Sequence, residues 1–224
     1  MKVRILRKSR DMEQSYWDTF RYEGSRDITV AGMLDILNYR DDVTNEKGEI
    51  VPRIQWSCSC LQGMCGACAM VINRRPSLAC ETFLRDLGEE IVLEPLKKFP
   101  VICDLVVDRE IIHDNLSKAN AYIQKFGGEN IKEHDHQYTV AKCLKCGLCL
   151  EVCPNYVRGI NFFGAMFAND CYLISRRTAL QGPSIKKEYD AHFGSGCSKS
   201  LACMDVCPME IPTLTSMAKM NRSR

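Results

Sequence analysis

The sequence predicts an α+β fold in two parts, a small domain with a mixed β-sheet over residues 1–105 and an all-α domain over residues 106–224. Two observations support this division. In the first part, short runs of β-branched and aromatic residues, separated by turns, enclose one segment with helical periodicity. The second part is rich in loops, and it holds two cysteine runs that each end in Cys-Pro. Pro is well tolerated in the first turn of a helix, so each run is expected to lead directly into a helix.

The composition excludes several classes of function. The 224 residues carry 30 Lys and Arg against 28 Asp and Glu, which argues against a strongly basic nucleic-acid-binding protein and against an acidic disordered tail. The first eleven residues hold no apolar run, so we expect no secretory signal. The longest nearly apolar stretch, residues 160–174, contains Asn161, Asn169 and Asp170, so we expect no transmembrane segment in this chain.

The first part is predicted to be a β-grasp-like domain. Apolar residues recur at helical spacing from Val30 to Leu37, after Asp27 and Thr29 as candidate N-caps. Two hairpins, this helix and a cysteine-rich loop after residues 50–56 together favour the β-grasp arrangement. The predicted strands and turn are Val3–Arg7, Ser15–Tyr22, Ala69–Ile72, the turn Asn73–Pro76, Ser77–Cys80 and Ile91–Leu93.

The second part is predicted to begin with a helix over residues 113–126, ended by the glycine pair at 127–128. The polar stretch 129–137 is predicted to be an exposed linker. His134 and His136 lie in this stretch. A pair of His residues can bind metal, but solvated loop residues are the favoured interpretation here.

The 14 cysteines are the main chemical feature of the sequence. An even number allows a disulfide framework, but the chain has no predicted export signal and is longer than the small scaffolds that need such staples. The cysteines are also bunched, which in an intracellular protein favours metal binding. They lie at Cys58, Cys60, Cys65, Cys68, Cys80, Cys103, Cys143, Cys146, Cys149, Cys153, Cys171, Cys197, Cys203 and Cys207.

The first group has the plant-type [2Fe–2S] spacing, C-x4-C-x2-C followed by a distant Cys. Its members are Cys60, Cys65, Cys68 and Cys80. Gly63 and Gly66 allow the loop to fold around a small cluster and to aim backbone N–H groups at sulfur. The alternative is a zinc site with four Cys ligands, but zinc ribbons prefer two C-x2-C pairs, and only one pair here has that spacing.

The second group has the bacterial ferredoxin spacing C-x2-C-x2-C-x3-C-P, in which the fourth Cys serves a second cluster. A complementary run follows later in the chain, so each run is expected to lend its last cysteine to the other. The predicted [4Fe–4S] ligands are Cys143, Cys146, Cys149 and Cys207. The predicted ligands of the other cluster are Cys153, Cys197 and Cys203.

Ser200 stands where the later run lacks its middle cysteine. Three thiolates leave one iron corner without a ligand, so the sequence predicts a [3Fe–4S] cluster there. Serine alkoxide is a harder ligand than thiolate and a poor match for this iron. A [4Fe–4S] cluster with Ser200 or water as its fourth ligand remains the alternative.

The remaining cysteines and an aromatic group are given structural explanations. Cys58 is interpreted as a spare thiol beside the first cluster, whereas Cys103 and Cys171 lie in apolar surroundings where free Cys acts as a small hydrophobe. The apolar side chains between Phe162 and Phe167 could face a partner, but core packing is the favoured interpretation.

With these motifs the chain resembles the iron–sulfur subunit of the succinate dehydrogenase and fumarate reductase family over nearly its full length. The motifs are CLQGMCGACAMVINRRPSLAC (60–80), CLKCGLCLEVCP (143–154) and CSKSLACMDVCP (197–208). The resemblance implies a plant-type ferredoxin-like β-grasp domain followed by a helical domain of the two-cluster bacterial ferredoxin type. It also implies electron transfer from FAD through [2Fe–2S], [4Fe–4S] and [3Fe–4S] to quinone.

The resemblance further implies two partners and a location. One partner is a flavoprotein subunit with covalent FAD, and the other is a membrane anchor with a quinone site, often with haem b. The chain would then lie in the cytoplasm, peripheral on the inner face of the membrane. No dinucleotide or P-loop motif suggests a substrate site within the chain itself.

Two positions depart from the ubiquinone-reducing members of the family, which have Trp and His where this chain has Arg158 and Ser198. A menaquinone-linked or fumarate-reducing relative therefore fits better than a ubiquinone reductase, and a soluble acceptor stays open. Two further alternatives are a freestanding ferredoxin-like carrier and an iron–sulfur subunit whose flavoprotein acts on another substrate. Small mobile carriers are usually strongly acidic, which this near-neutral chain is not.

Overall fold

The structure is a computed structural model that describes residues 1–124 and 134–222. It divides the chain into two compact units, Met1–Asp108 and Arg109–Arg224. The first contains a mixed sheet and the second is helical, so the predicted α+β class is confirmed. None of the helices in the described residues combines the length and apolar character that crossing a bilayer requires.

A five-stranded sheet in the order β2-β1-β5-β3-β4 forms the centre of the first unit. β1 and β5 are parallel, whereas the other neighbouring strands are antiparallel. The hairpin between β3 and β4 turns at Asn73 and Arg74, which both have positive φ, as a two-residue type I′ turn requires. The strands are β1 (Lys2–Arg7), β2 (Tyr16–Arg21), β3 (Ala69–Ile72), β4 (Arg75–Leu78) and β5 (Glu90–Glu94).

Helix α1 (Val30–Asn38) begins where the sequence predicts it. The Thr29 side chain accepts a hydrogen bond from Gly32 N at 3.2 Å, so Thr29 is the N-cap. The apolar face of the helix is buried, as its periodicity predicts. Three short elements of this unit were not predicted: a 3₁₀ helix (Leu84–Asp86), β6 (Val101–Cys103) and β7 (Val106–Val107), which pairs with β6.

The long helix α5 lies at the centre of the second unit and packs against α3, α4, α6 and α8. Most of its side chains are buried, including Phe167, Cys171 and Tyr172. Phe162 and Phe163 just before it are also buried, so the expectation of core packing is confirmed. The helices are α2 (Glu110–Lys118), α3 (His134–Ala141), α4 (Leu148–Val152), α5 (Gly164–Arg177), α6 (Gly182–Tyr189), α7 (Ala202–Asp205) and α8 (Thr213–Arg222), with a 3₁₀ helix at Ala179–Gln181 and a π-helical turn at Asp190–Gly194.

The helix predicted over residues 113–126 is wrong at both ends. α2 starts at Glu110 and stops at Lys118, because Asn120 adopts a left-handed conformation (φ 49°) that a helix cannot continue through. The glycine pair at 127–128 lies outside the described residues. Residues 119–124 form turns and irregular structure.

The predicted linker is also wrong where it can be compared. His134 and His136 lie in helix α3 rather than in a loop, while residues 129–133 are outside the described part. His136 Nε2 lies 3.2 Å from Ser216 Oγ, and its ring contacts the Tyr172 ring edge to face. His136 is therefore part of the packing between α3, α5 and α8.

The prediction that each Cys-Pro leads directly into a helix is wrong. Turns and irregular backbone follow Pro154 and Pro208, and the next helices start only at Gly164 and Thr213. In both runs the short helix instead precedes the Cys-Pro pair, as α4 and α7. The last cysteine of each run therefore lies just after the end of a short helix.

Candidate metal centres

The loop between α1 and β3 aims backbone N–H groups at cysteine sulfurs. Gln62 N and Met64 N lie 3.4 and 3.3 Å from Cys60 Sγ, and Gly63 N lies 3.3 Å from Cys80 Sγ. Gly63 has a φ of 69°, which orients its amide in this way at no cost for a residue without Cβ. A neutral thiol is a weak acceptor, so this set of donors fits sulfur that carries negative charge.

The four sulfurs of this group differ in environment. Cys68 and Cys80 are buried with their Sγ atoms 3.3 Å apart, whereas Cys60 and Cys65 are partly exposed. Burial raises the pKa of Cys80 to about 12, whereas the N–H groups of Gln62 and Met64 lower the pKa of Cys60 to about 7. Cys60 can therefore supply thiolate near neutral pH, whereas Cys80 needs a metal's positive charge to ionise.

A buried ion network holds the segment that leads into this loop. Arg7 points into the unit, where its Nε lies 2.9 Å from Asp104 Oδ1 and its Nη1 lies 3.8 Å from Asp18 Oδ2. Its Nη2 also donates to the carbonyl oxygens of Pro52 and Arg53. The network joins β1, β2, the β6–β7 hairpin and the chain just before the cysteines. The sequence alone did not reveal it, since Arg7 resembles any other charged residue of β1.

Each of two cavities in the second unit is lined by cysteines of both runs. One has an empty volume of about 300 Å³, and the other has one of about 420 Å³. The first is lined by Cys143, Cys146, Cys149 and Cys207. The second is lined by Cys153, Cys197 and Cys203, with Ser200. The last cysteine of each run thus stands with the first cysteines of the other.

The two runs share a backbone conformation at a constant offset of 54 residues. Lys145 and Lys199 have φ values of 53° and 59°, and Gly147 and Leu201 have φ values of 89° and 60°. Helix α4 starts one residue after Gly147, and α7 starts one residue after Leu201. In this correspondence Ser200 occupies the position equivalent to Cys146. Leu201, equivalent to Gly147, adopts a left-handed conformation that favours glycine.

The thiols that line the two cavities are suited to binding the positively charged core of an iron–sulfur cluster. Burial raises the pKa of Cys146 and that of Cys203 to about 11, and it also raises the pKa of Cys149. Such thiols stay protonated near neutral pH unless a metal replaces their protons. Apolar side chains such as Met166 and Ile211 complete the lining of the first cavity. Among the described residues, no three Cys, His or carboxylate side chains converge on the position of a single metal ion.

The three cysteines outside these groups differ in their surroundings. Cys103 and Cys171 are buried, in agreement with their interpretation as small hydrophobes. Cys58 is exposed, and partial desolvation together with the Asp35 carboxylate raises the pKa of its thiol. Ser198 lines the second cavity and donates a hydrogen bond to Asn155 Oδ1 at 2.7 Å, while Arg158 is exposed.

Comparison with known proteins finds relatives that match most of the chain. The family profile for a 2Fe-2S iron-sulfur cluster binding domain matches residues 2–114. The succinate dehydrogenase iron-sulfur subunit of Bacillus subtilis is 35% identical, over 92% of this chain and 87% of that protein. The fumarate reductase iron-sulfur subunit of Escherichia coli is 29% identical, over 94% of this chain and 87% of that protein.

A solved structure, the Mycobacterium smegmatis Sdh1 complex in the apo form, contains a chain with the same fold. The TM-score is 0.77 at 24% identity, and the match covers 98% of this chain and 93% of that chain. An uncharacterized iron-sulfur protein of Methanococcus maripaludis is 31% identical, over 84% of this chain but only 39% of that longer protein. The same sequence region therefore also occurs within larger proteins.

Proposed function

This chain belongs to the family of iron–sulfur subunits of succinate dehydrogenase and fumarate reductase, and we propose that it relays single electrons between a flavoprotein's FAD and a quinone. It is an electron-transfer subunit of an oxidoreductase. When bound, its clusters would divide the two-electron chemistry of a flavin into one-electron steps. The chain's own residues hold the metal, set its electrostatic surroundings and exclude water.

We assign ligands to three clusters from the sulfur groups described above. The [2Fe–2S] ligands are Cys60, Cys65, Cys68 and Cys80. The [4Fe–4S] ligands are Cys143, Cys146, Cys149 and Cys207, and the [3Fe–4S] ligands are Cys153, Cys197 and Cys203. The backbone N–H groups at Gln62, Gly63 and Met64 would stabilise negative charge on the sulfurs that they contact.

One observation carries this proposal: the last cysteines of the two runs are exchanged between the cavities. Cys207 stands with the early run and Cys153 with the later one. A zinc site built from one run would have no use for this exchange, whereas two-cluster ferredoxins depend on it. The exchange therefore supports a pair of clusters rather than two separate metal sites.

Ser200 supports [3Fe–4S] as the occupant of the second cavity. Its backbone position corresponds to that of Cys146, a proposed ligand of the other cluster, so the second cavity has a serine where the first has a ligating cysteine. A hydroxyl that must lose a proton of high pKa is a poor substitute for thiolate toward iron.

The proposed partners are a flavoprotein subunit that interconverts succinate and fumarate and a membrane anchor that binds quinone, with haem b in many relatives. The chain would then be held at the cytoplasmic face of the membrane by the anchor. Ser198 lines the second cavity and is engaged with Asn155, so the environment beside the proposed last cluster lacks an imidazole at this position. This supports a menaquinone-linked or fumarate-reducing complex.

The test is purification of the chain from its native source with whatever accompanies it. Electron paramagnetic resonance should detect a [3Fe–4S] signal in the oxidised sample and a [2Fe–2S] signal after dithionite reduction. The co-purifying flavoprotein should reduce fumarate or oxidise succinate with a quinone analogue. A chain that elutes alone would indicate a freestanding carrier, and a flavoprotein inactive on both acids would indicate another substrate. A colourless, zinc-containing preparation would refute the proposal altogether.

A further inference from the structure

A lysine side chain lies within the loop that would hold the [4Fe–4S] cluster. Lys145 stands between Cys143 and Cys146, and its left-handed backbone turns its N–H toward the Cys143 sulfur. Its side chain is not a free surface charge, since only 25% of it is exposed. A positive charge is therefore kept near sulfurs that line the first cavity.

The partner of this lysine is a carboxylate on the central helix of the unit. Lys145 Nζ donates a hydrogen bond to Asp170 Oδ2 on α5, and the Asp170 side chain is only 14% exposed. The ammonium belongs to the loop that carries Cys143 and Cys146, whereas the carboxylate belongs to α5. The positive member of the pair is thus the one that the cysteine loop carries.

The second run supplies an internal comparison. Lys199 occupies the position equivalent to Lys145, with the same backbone conformation and an N–H 3.4 Å from Cys197 Sγ. Its side chain, however, is exposed to solvent. Solvent screens an exposed charge far more strongly than a buried one. The two loops therefore share a lysine but differ in how much of its charge a cluster would feel.

We propose that the Lys145–Asp170 pair sets the reduction potential of the [4Fe–4S] cluster, with Lys145 raising the potential and Asp170 limiting that effect. The inference rests on the ligand set proposed above. Reduction adds one electron to the cluster, so a nearby positive charge stabilises the reduced form and a negative charge destabilises it. Charge, hydrogen bonding and exposure are the means by which a protein tunes such potentials.

A purely structural brace between the loop and α5 would use the same two residues. The sign of the change in potential separates the two explanations. Lys145→Gln removes the positive charge and leaves Asp170 either ionised or protonated. In both cases the reduction potential of the [4Fe–4S] cluster falls. Asp170→Asn leaves an uncompensated ammonium, which raises it. Loss of a purely structural contact between the loop and α5 would give no reason for the two variants to shift the potential in opposite directions.

The experiment is a dye-mediated redox titration of the purified complex, with the reduced [4Fe–4S] cluster followed by electron paramagnetic resonance. For Lys145→Gln we expect the reduced-to-oxidised ratio at the wild-type midpoint to fall about tenfold, a shift of about 59 mV for a one-electron couple. For Asp170→Asn we expect a shift in the opposite direction. The double variant should lie between the two single variants. Lys199→Gln is the matched control, and it should shift the midpoint potential of the [3Fe–4S] cluster by less than Lys145→Gln shifts that of the [4Fe–4S] cluster.

Shifts of the same sign in both single variants, or no shift in either, would overturn the inference. If Lys145→Gln fails to load iron, Asp170→Asn decides alone, because an unchanged or lower potential in that variant contradicts the proposal. Iron and sulfide contents of each preparation are measured first. A wild-type complex without any [4Fe–4S] cluster would defeat the proposed function instead, before the role of the pair is tested.

Discussion

Replacing Arg7 by Met is expected to destabilise the first unit strongly, although Arg7 lies far along the chain from the cysteines. The side chain of Arg7 is only 2% exposed, and those of its partners Asp18 and Asp104 are 9% and 5% exposed. Met fills a similar volume but carries no charge, so two buried carboxylates lose their cation. The Pro52 and Arg53 carbonyl oxygens also lose a donor.

The magnitude follows from the burial of the network. Removing one partner of a buried ion pair costs about 3–5 kcal/mol, because the remaining charge stays desolvated without compensation. Arg4 on the same strand gives the matched control. It lies 3.6 Å from Glu90 and over the Trp17 ring, with 39% of its side chain exposed. Arg4→Met should cost about 1 kcal/mol or less.

Hydrogen exchange of the full-length chain, measured by mass spectrometry on peptides from β1, is the appropriate assay. A chain with two compact units need not unfold in one step, so a single unfolding midpoint would mix them. At 1.4 kcal/mol per factor of ten, Arg7→Met should accelerate exchange of the slowest β1 amides about a hundredfold or more. Equal acceleration by Arg4→Met and Arg7→Met would refute the reasoning.

Three further predictions concern the proposed clusters. Ser200→Cys should allow a fourth iron in the second cavity, which removes the oxidised-state [3Fe–4S] resonance and lowers the cluster's potential; an unchanged spectrum would contradict the assigned register. Gly63→Ala should destabilise the cysteine loop by about 1–2 kcal/mol because of its positive φ, and its Cβ would also meet the Glu81 carboxylate at 2.6 Å. On heating, the [2Fe–2S] absorbance should therefore be lost sooner than in the control Gly48→Ala, where φ is 81° and no atom lies within 4 Å of the added Cβ. The second unit of the cluster-free chain should lose stability as pH rises from about 9 to about 11. The pKa of Cys146 rises from 9.0 to about 11 on folding, so the unfolded chain releases its proton at lower pH than the folded chain. Urea unfolding followed by the circular dichroism of helices, which reports mainly on the second unit, should show the decline, and a stability that grows with pH would contradict it.

The sequence predicted the elements whose physical cause is local. The β3 bounds at Ala69 and Ile72 and the Thr29 cap of α1 follow from neighbouring residues, and the structure confirms both. The end of α2 at Lys118 was missed because it depends on the left-handed Asn120, which no periodicity reveals. His136 was placed in a loop because its neighbours are polar, although its contacts with Ser216 and Tyr172 come from distant helices.

Cysteine spacing by itself determined which metal groups to expect and which position lacks a ligand, because the number and order of thiolates are written in the chain. The spacing also predicted the exchange of Cys207 and Cys153 between the runs, but only the tertiary structure brings each next to the cysteines of the other run, since that exchange needs both loops folded against one another. Tertiary structure also decided which of the two equivalent lysines is buried enough to influence the potential of a neighbouring cluster. Lys145 meets Asp170 across the fold and is largely withdrawn from water, whereas Lys199 is exposed, and screening depends on burial rather than on residue type.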